Sequence, residues 1–148
     1  IIPQSLEMEG SICCLHTDDA QVRERFAALV KQIAAAHRLD ADIAFQCGNS
    51  ILDNDKTLAD SVVRTGADVV GTQNVLTKDV SVMIGDDFAE FIKDIPGVYY
   101  FVGAGNAEKG TEYEHHHPKF DIDEDALSIA VEMELNLALR YLNGDSDN

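Results

Sequence analysis

Gly97-Val98-Tyr99-Tyr100-Phe101-Val102-Gly103 is a β-branched and aromatic run bounded by glycines. Such a run predicts a strand buried on both faces, as in the sheet of an α/β protein. Gly103-Ala104-Gly105-Asn106 follows as a tight turn, and a polar loop leads to Glu114-His115-His116-His117-Pro118-Lys119-Phe120-Asp121. Three imidazoles on a loop at a strand end make a candidate metal site, because neutral histidine is the commonest nitrogen ligand of zinc-like ions. Pro118 biases His117 toward extended backbone, where alternate side chains point to opposite faces. His115 and His117 would then face one way and His116 the other, so at most two could reach one ion. A hydrated polar loop is the competing reading of the same residues.

Working outward from this stretch, residues 6–15 alternate loosely as a strand. Thr17 suits a helix N-cap and Asp18 and Asp19 its positive end, with Val22, Phe26, Leu29, Val30 and Ile33 on one face. Residues 42–46 read as a second strand, and the turn-rich segment around Asp53-Asn54-Asp55 places a boundary near residue 54. A short helix is expected over 57–66, with Leu58, Val62 and Val63 on one side and Gly66 as its stop. Residues 80–84 suit a buried strand, and Asp86-Asp87 open a helix carrying Phe88, Phe91 and Ile92. Asp123 caps a long helix to about Leu142, with Leu127, Val131, Leu135, Ala138 and Leu142 on one face. The tail after residue 142 is expected to fray. The fold class expected is therefore α/β.

The chain has 148 residues, enough for a domain that buries roughly 68–70% of its unfolded surface. With 27 acidic and 11 basic side chains its net charge is −16, which repels nucleic-acid phosphates and anionic membrane surfaces. No apolar run approaches the roughly 20 residues that span a bilayer. These features predict a soluble cytoplasmic protein with neither nucleic acid nor membrane as partner. Cys13, Cys14 and Cys47 show no C-x-x-C spacing and read as reduced core thiols. The opening Ile1-Ile2-Pro3-Gln4 reads like the approach to a strand, so the chain is expected to be a piece of something longer.

Four segments in order carry a resemblance: Ile2-Pro3-Gln4 with Gly10, Gly85-Asp86-Asp87-Phe88, Pro96-Gly97 with residues 98–103, and His116-His117-Pro118-Lys119-Phe120-Asp121 ahead of a terminal helix. Together they resemble the metal-dependent aminoacylases, carboxypeptidases and hippurate-type amidohydrolases of peptidase clan MH, across almost the whole chain. The chain looks most like the hippurate and N-acyl-amino-acid branch. It departs from that pattern at Asp86, where the family has Glu, and at Cys13, where it has Arg.

The resemblance implies that residues 1–54 are the second part of a lid, or dimerisation, domain and residues 55–148 the closing part of an α/β metallohydrolase catalytic domain. It makes His116, two positions before Pro118, a metal ligand, and it sets Gly103, Gly105 and Asn106 beside the substrate pocket. Family members hold two divalent ions, here expected to be Zn, Mn, Co or Ni, mostly through upstream residues. The general base is expected upstream as well, so no catalytic residue is assigned within this chain. The implied function is hydrolysis of N-acyl amino acids or peptide-like amides by a homodimer joined through the lid, with the 148 residues alone inactive. A non-catalytic dimerisation or binding module is the alternative. A weaker third reading gathers Glu112, Glu114, His115 and His117 as an independent metal site. His16 and His37 read as structural, Tyr99 and Tyr100 as strand core, and Glu132 and Glu134 as a solvated face.

Overall fold

The computed structural model describes residues 3–15 and 19–144. The readings placed on Ile1, Ile2, His16, Thr17, Asp18 and residues 145–148 lie outside the described residues. Two compact units share the chain: Ile1–Leu52 with Val82–Glu90, and Asp53–Ser81 with Phe91–Asn148. Among the described residues the regular structure is entirely helical, with no strand and no sheet, so the expected α/β class is overturned. A strand exists only when a neighbouring segment completes its ladder of N–H···O=C bonds. Residues 98–102 have the composition of a strand but no such neighbour. Tyr99 instead turns its backbone to a side chain: its N–H donates to Asn54 Oδ1 at 2.7 Å and its carbonyl accepts from Asn54 Nδ2 at 2.8 Å. Asp55 N–H donates to the Gly97 carbonyl at 2.9 Å beside them. The runs at 6–15, 42–46 and 80–84 are likewise non-helical and unladdered.

In the first unit α1 spans Asp19–Ala36. Asp19 favours its N-terminal end and pairs with Arg23 one turn on, at 3.1 Å. The helix ends in a Schellman arrangement: Leu39 N–H donates to the Ala34 carbonyl and Arg38 N–H to that of Ala35, with Arg38 left-handed at φ 58°. None of its residues is buried, and its apolar face touches the rest of the unit through the edge of Phe26 on Phe45, 6.0 Å between ring centres. Cys13 and Cys47 are exposed and Cys14 half-buried, so these free thiols are not core residues. The next helix in the chain, α2 (Lys56–Val70), belongs to the second unit, and α3 (Phe88–Phe91) is a single turn started by Asp86, whose Oδ1 accepts from Phe88 N–H at 2.8 Å. Glu90 reaches back to accept from Ser50 N–H at 2.6 Å. Ala89, 1% exposed, is the buried apolar residue of this turn.

The second unit is built on α2 (Lys56–Val70) packed against α4 (Asp125–Asn143). Asp55 caps α2 by accepting from Leu58 N–H at 2.9 Å, a contact that stabilises a helix by about 1 kcal/mol. Gly66 does not stop this helix. It is buried in its interior, where an added Cβ would sit 3.2 Å from Val75 Cγ2 and 3.9 Å from Met133 Cε. The stop is Gly71, at φ 86°, followed by a 3₁₀ turn over Thr72–Asn74. On α4 the buried residues are Ala126 and Met133, with Ile129, Ala130, Asn136, Leu137 and Arg140 half-buried between and beyond them. That is a helical stripe facing α2, secured at its far end by an Arg140–Asp68 ion pair. The stripe expected from the sequence lies on the other side: Leu127, Val131, Leu135 and Leu142 are 54–78% exposed. α4 therefore carries two apolar faces, of which this unit covers one. Gly144, left-handed at φ 76°, ends the helix. No described helix is long and apolar enough to cross a membrane.

Candidate functional site

The loop from residue 104 to residue 123 lies wholly in the second unit. Its ends are tied together: Asp123 N–H donates to the Ala104 carbonyl at 2.8 Å, and Asn106 Nδ2 donates to Asp123 Oδ2 at 2.6 Å. Asn106 organises the first half. Its Oδ1 accepts from Glu108 N–H at 3.0 Å, its backbone N–H donates to Thr111 Oγ1 at 3.0 Å, and its carbonyl accepts from Thr111 N–H at 3.0 Å. Thr111 is buried by this wrapping. Lys109 reaches across to Asp123 Oδ1 at 2.5 Å and to Asp125 Oδ2 at 2.6 Å.

Asp123 thus accepts from a cation, an amide and a backbone N–H, that of Asp125 at 3.1 Å. These bonds to its charged form, the Lys109 ammonium first and then Asn106 and Asp125, hold its carboxyl down at about 2. The same contacts, Asp123 foremost, raise the Lys109 ammonium above its ordinary range. In the same unit Tyr100 donates its hydroxyl proton to Glu134 Oε1 at 2.7 Å, and burial followed by that carboxylate pushes the phenol above its usual value.

The histidine segment is not extended. His117 N–H donates to the Glu114 carbonyl at 3.1 Å and Phe120 N–H to the His117 carbonyl at 2.9 Å. Two β-turns in succession therefore share His117. In the first, His116 occupies the third position with φ 68°, in the left-handed region that such turns require. In the second, Pro118 holds the second position, where its fixed φ belongs. His117 stacks on Tyr113 with ring centres 4.4 Å apart and planes at 8°, and its Nδ1 accepts from Lys119 N–H at 3.1 Å. His115 packs edge-on to Phe120 at 4.9 Å. Both flanking imidazoles are thereby occupied with packing, and His116 stands exposed at the corner with no hydrogen bond to its ring among the described residues.

Such an imidazole suits one ligand position on a metal ion. It cannot suffice alone, since zinc sites take three or four protein ligands, and among the described residues no group of three or more His, Cys, Asp or Glu side chains gathers to hold an ion. The four-residue site of Glu112, Glu114, His115 and His117 is accordingly not assembled. Of the other expected residues, Asn106 is fixed at the loop base, while Gly103 and Gly105 flank Ala104; a Cβ would meet nothing within 4 Å at Gly103 and only Thr111 O, at 3.6 Å, at Gly105. Gly85-Asp86-Asp87-Phe88 belongs to the first unit, where Asp86 has the capping role already described. Sequence reasoning did not single out Lys109 and Thr111, and it read Asp123 as a cap alone. Asn-x-x-Lys-x-Thr at 106–111, with acids at 123 and 125, is the pattern that would have pointed to them.

The model of peptidase family M20/M25/M40 matches residues 6–140. Over the full chain, 30% of residues are identical to N-acetyl-L-cysteine deacetylase of Bacillus subtilis, covering 34% of that protein. An N-acetylcysteine deacetylase of the same organism is 31% identical over 96% of the chain and 36% of its own length. Thermostable carboxypeptidase 2 of Saccharolobus solfataricus is 26% identical over 97% of the chain and 36% of its own length. The chain thus spans about a third of the length of the curated relatives it matches. No solved structure matches it.

Proposed function

This chain belongs to peptidase family M20/M25/M40, and from that premise we propose that it is the C-terminal portion of a metal-dependent amidohydrolase acting on N-acyl amino acids or peptide-like amides. In this reading residues 1–54 contribute to a lid, residues 55–148 close the catalytic domain, and His116 is one ligand of a pair of divalent ions such as Zn, Mn, Co or Ni. Bound ions would supply a water acidic enough to ionise near neutral pH and a Lewis acid for the scissile carbonyl. The loop's own task is to present the His116 imidazole, while Gly103, Gly105 and Asn106 border the substrate. The general base and the remaining ligands come from the length that the relatives carry beyond this chain's share.

The observation that carries the reading is the family match over residues 6–140. The second, uncovered apolar face of α4 supports it, because a helix apolar on two sides belongs to the interior of a larger body. The names of the relatives support the substrate class. Free exposed thiols fit a reducing, cytoplasmic setting. The test is hydrolysis of N-acetyl amino acids by the full-length gene product and by the 148-residue chain. The reading expects turnover that a chelator abolishes in the former and none in the latter; turnover by the short chain would contradict it.

A second reading, a non-catalytic dimerisation or binding module, is favoured by α1, whose Phe26, Leu29 and Ile33 are 42–54% exposed on one face. Both readings include a homodimer formed through residues 1–54. A dimer without hydrolytic activity in the full-length product would favour the second, and a clean monomer at high concentration in light scattering would count against the homodimer in both.

A further inference from the structure

We propose that Asn106 and Asp123 are positioning residues, a side-chain clamp that closes the loop carrying His115, His116 and His117 and fixes where His116 is presented. The importance of His116 rests on the functional reading above, whereas the clamp rests on the loop's own geometry. Asn106 Nδ2 and Asp123 Oδ2 meet at 2.6 Å across 17 positions of sequence. Each member is committed on its other side. Asn106 Oδ1 is taken by Glu108 N–H at 3.0 Å, and Asp123 Oδ1 by Asp125 N–H at 3.1 Å and Lys109 Nζ at 2.5 Å. The Asp123 side chain is only 13% exposed, so water competes poorly for the bond. The main-chain bond from Asp123 N–H to the Ala104 carbonyl lies beside it, which makes the pair the hinge point of a compact surface loop with adjacent ends. Among the described residues, the hydrogen bonds and ring contacts of the histidine segment are local to residues 113–120. This base is what relates them to α4 and to residues 98–102.

The geometry predicts an informative exchange of side chains. Asn106→Asp sets two carboxylates against each other at the clamp, and like charges at that separation repel. Adding Asp123→Asn restores a donor: the residue at 123 then donates its amide to a carboxylate at 106, which still accepts from Glu108 N–H, while the amide oxygen at 123 still accepts from Asp125 and Lys109. Amide hydrogen exchange in the 148-residue chain, read at Thr111 and Asp123, reports closure of the loop directly. We expect N106D to lower protection there by about tenfold or more with helix content unchanged, the size of effect that goes with losing a charge-assisted bond, and N106D/D123N to restore it. Unchanged protection in N106D, or no recovery in the double exchange while the helices persist, overturns the clamp. In the full-length protein, Zn²⁺ affinity should fall and recover in parallel. If H116A leaves that affinity unchanged, the ligand assignment fails, and the exchange data still decide the clamp by themselves.

Discussion

His116 holds a backbone conformation that costs a non-glycine residue about 1–2 kcal/mol, in return for which its imidazole stands clear of the packed pair on either side. His116→Gly removes that cost together with the ring. Stability toward urea should therefore stay level or rise by up to about 1 kcal/mol, whereas any metal affinity that depends on the ring should vanish; a loss of more than 1 kcal/mol would mean that the imidazole itself supports the fold. A second prediction concerns acid. Asp123 has its folded value lowered to about 2 from an ordinary 3.8, so it binds fewer protons folded than unfolded. Its contribution is fully present above about pH 4 and disappears as pH falls from there through about 2. Acid titration of loop protection should show that window, and Asp123→Asn should flatten it. The three histidines and Pro118 were legible as a unit from the sequence. Their geometry was not, because alternation assumes a continuous strand, whereas Pro118 suits the second position of a turn as well as an extended chain, and a left-handed His116 leaves no mark in composition.

The helices show which patterns decide packing. Met133 is 5% exposed and Leu135 58%, although both are large apolar residues of α4 two positions apart. Met133→Ala should cost about 2–5 kcal/mol in urea unfolding of the chain, and Leu135→Gln should stay within about 0.5; equal costs would contradict the assignment of faces. Gly66→Leu should destabilise by about 1–3 kcal/mol through Val75 and Met133, despite leucine's better helix propensity, with the effect read from the same urea curves. The sequence revealed α1, α2 and α4 because their periodicity, with Asp19 at the start of α1 and Asp123 ahead of α4, is a local signal. It misjudged Gly66 because a glycine that ends a helix and one that admits a close neighbour look alike in one dimension. The α4 face was misassigned because two apolar stripes at helical spacing compete, and only the partner, α2, selects between them. Residues 98–102 were recognisable as strand-like, but pairing depends on a neighbour, and Asn54 takes that place here.

At the scale of the molecule, the family match over residues 6–140 and the uncovered face of α4 both support the proposal that the chain works as part of a larger hydrolase. The net charge of −16 adds a self-repulsion that salt screens. The order of motifs made the family legible from sequence, since it does not depend on knowing which runs pair. A complete ion site was not legible, because one imidazole provides one ligand and the rest are expected outside these residues. The most direct measurement is hydrolysis of an N-acetyl amino acid by the full-length gene product with and without His116→Ala, each assayed after chelation and after return of a divalent ion. The account predicts activity that is lost on chelation and regained with the ion in the unaltered protein, and a loss of at least about a hundredfold in H116A that added ion does not repair. Activity in H116A equal to that of the unaltered protein would contradict it.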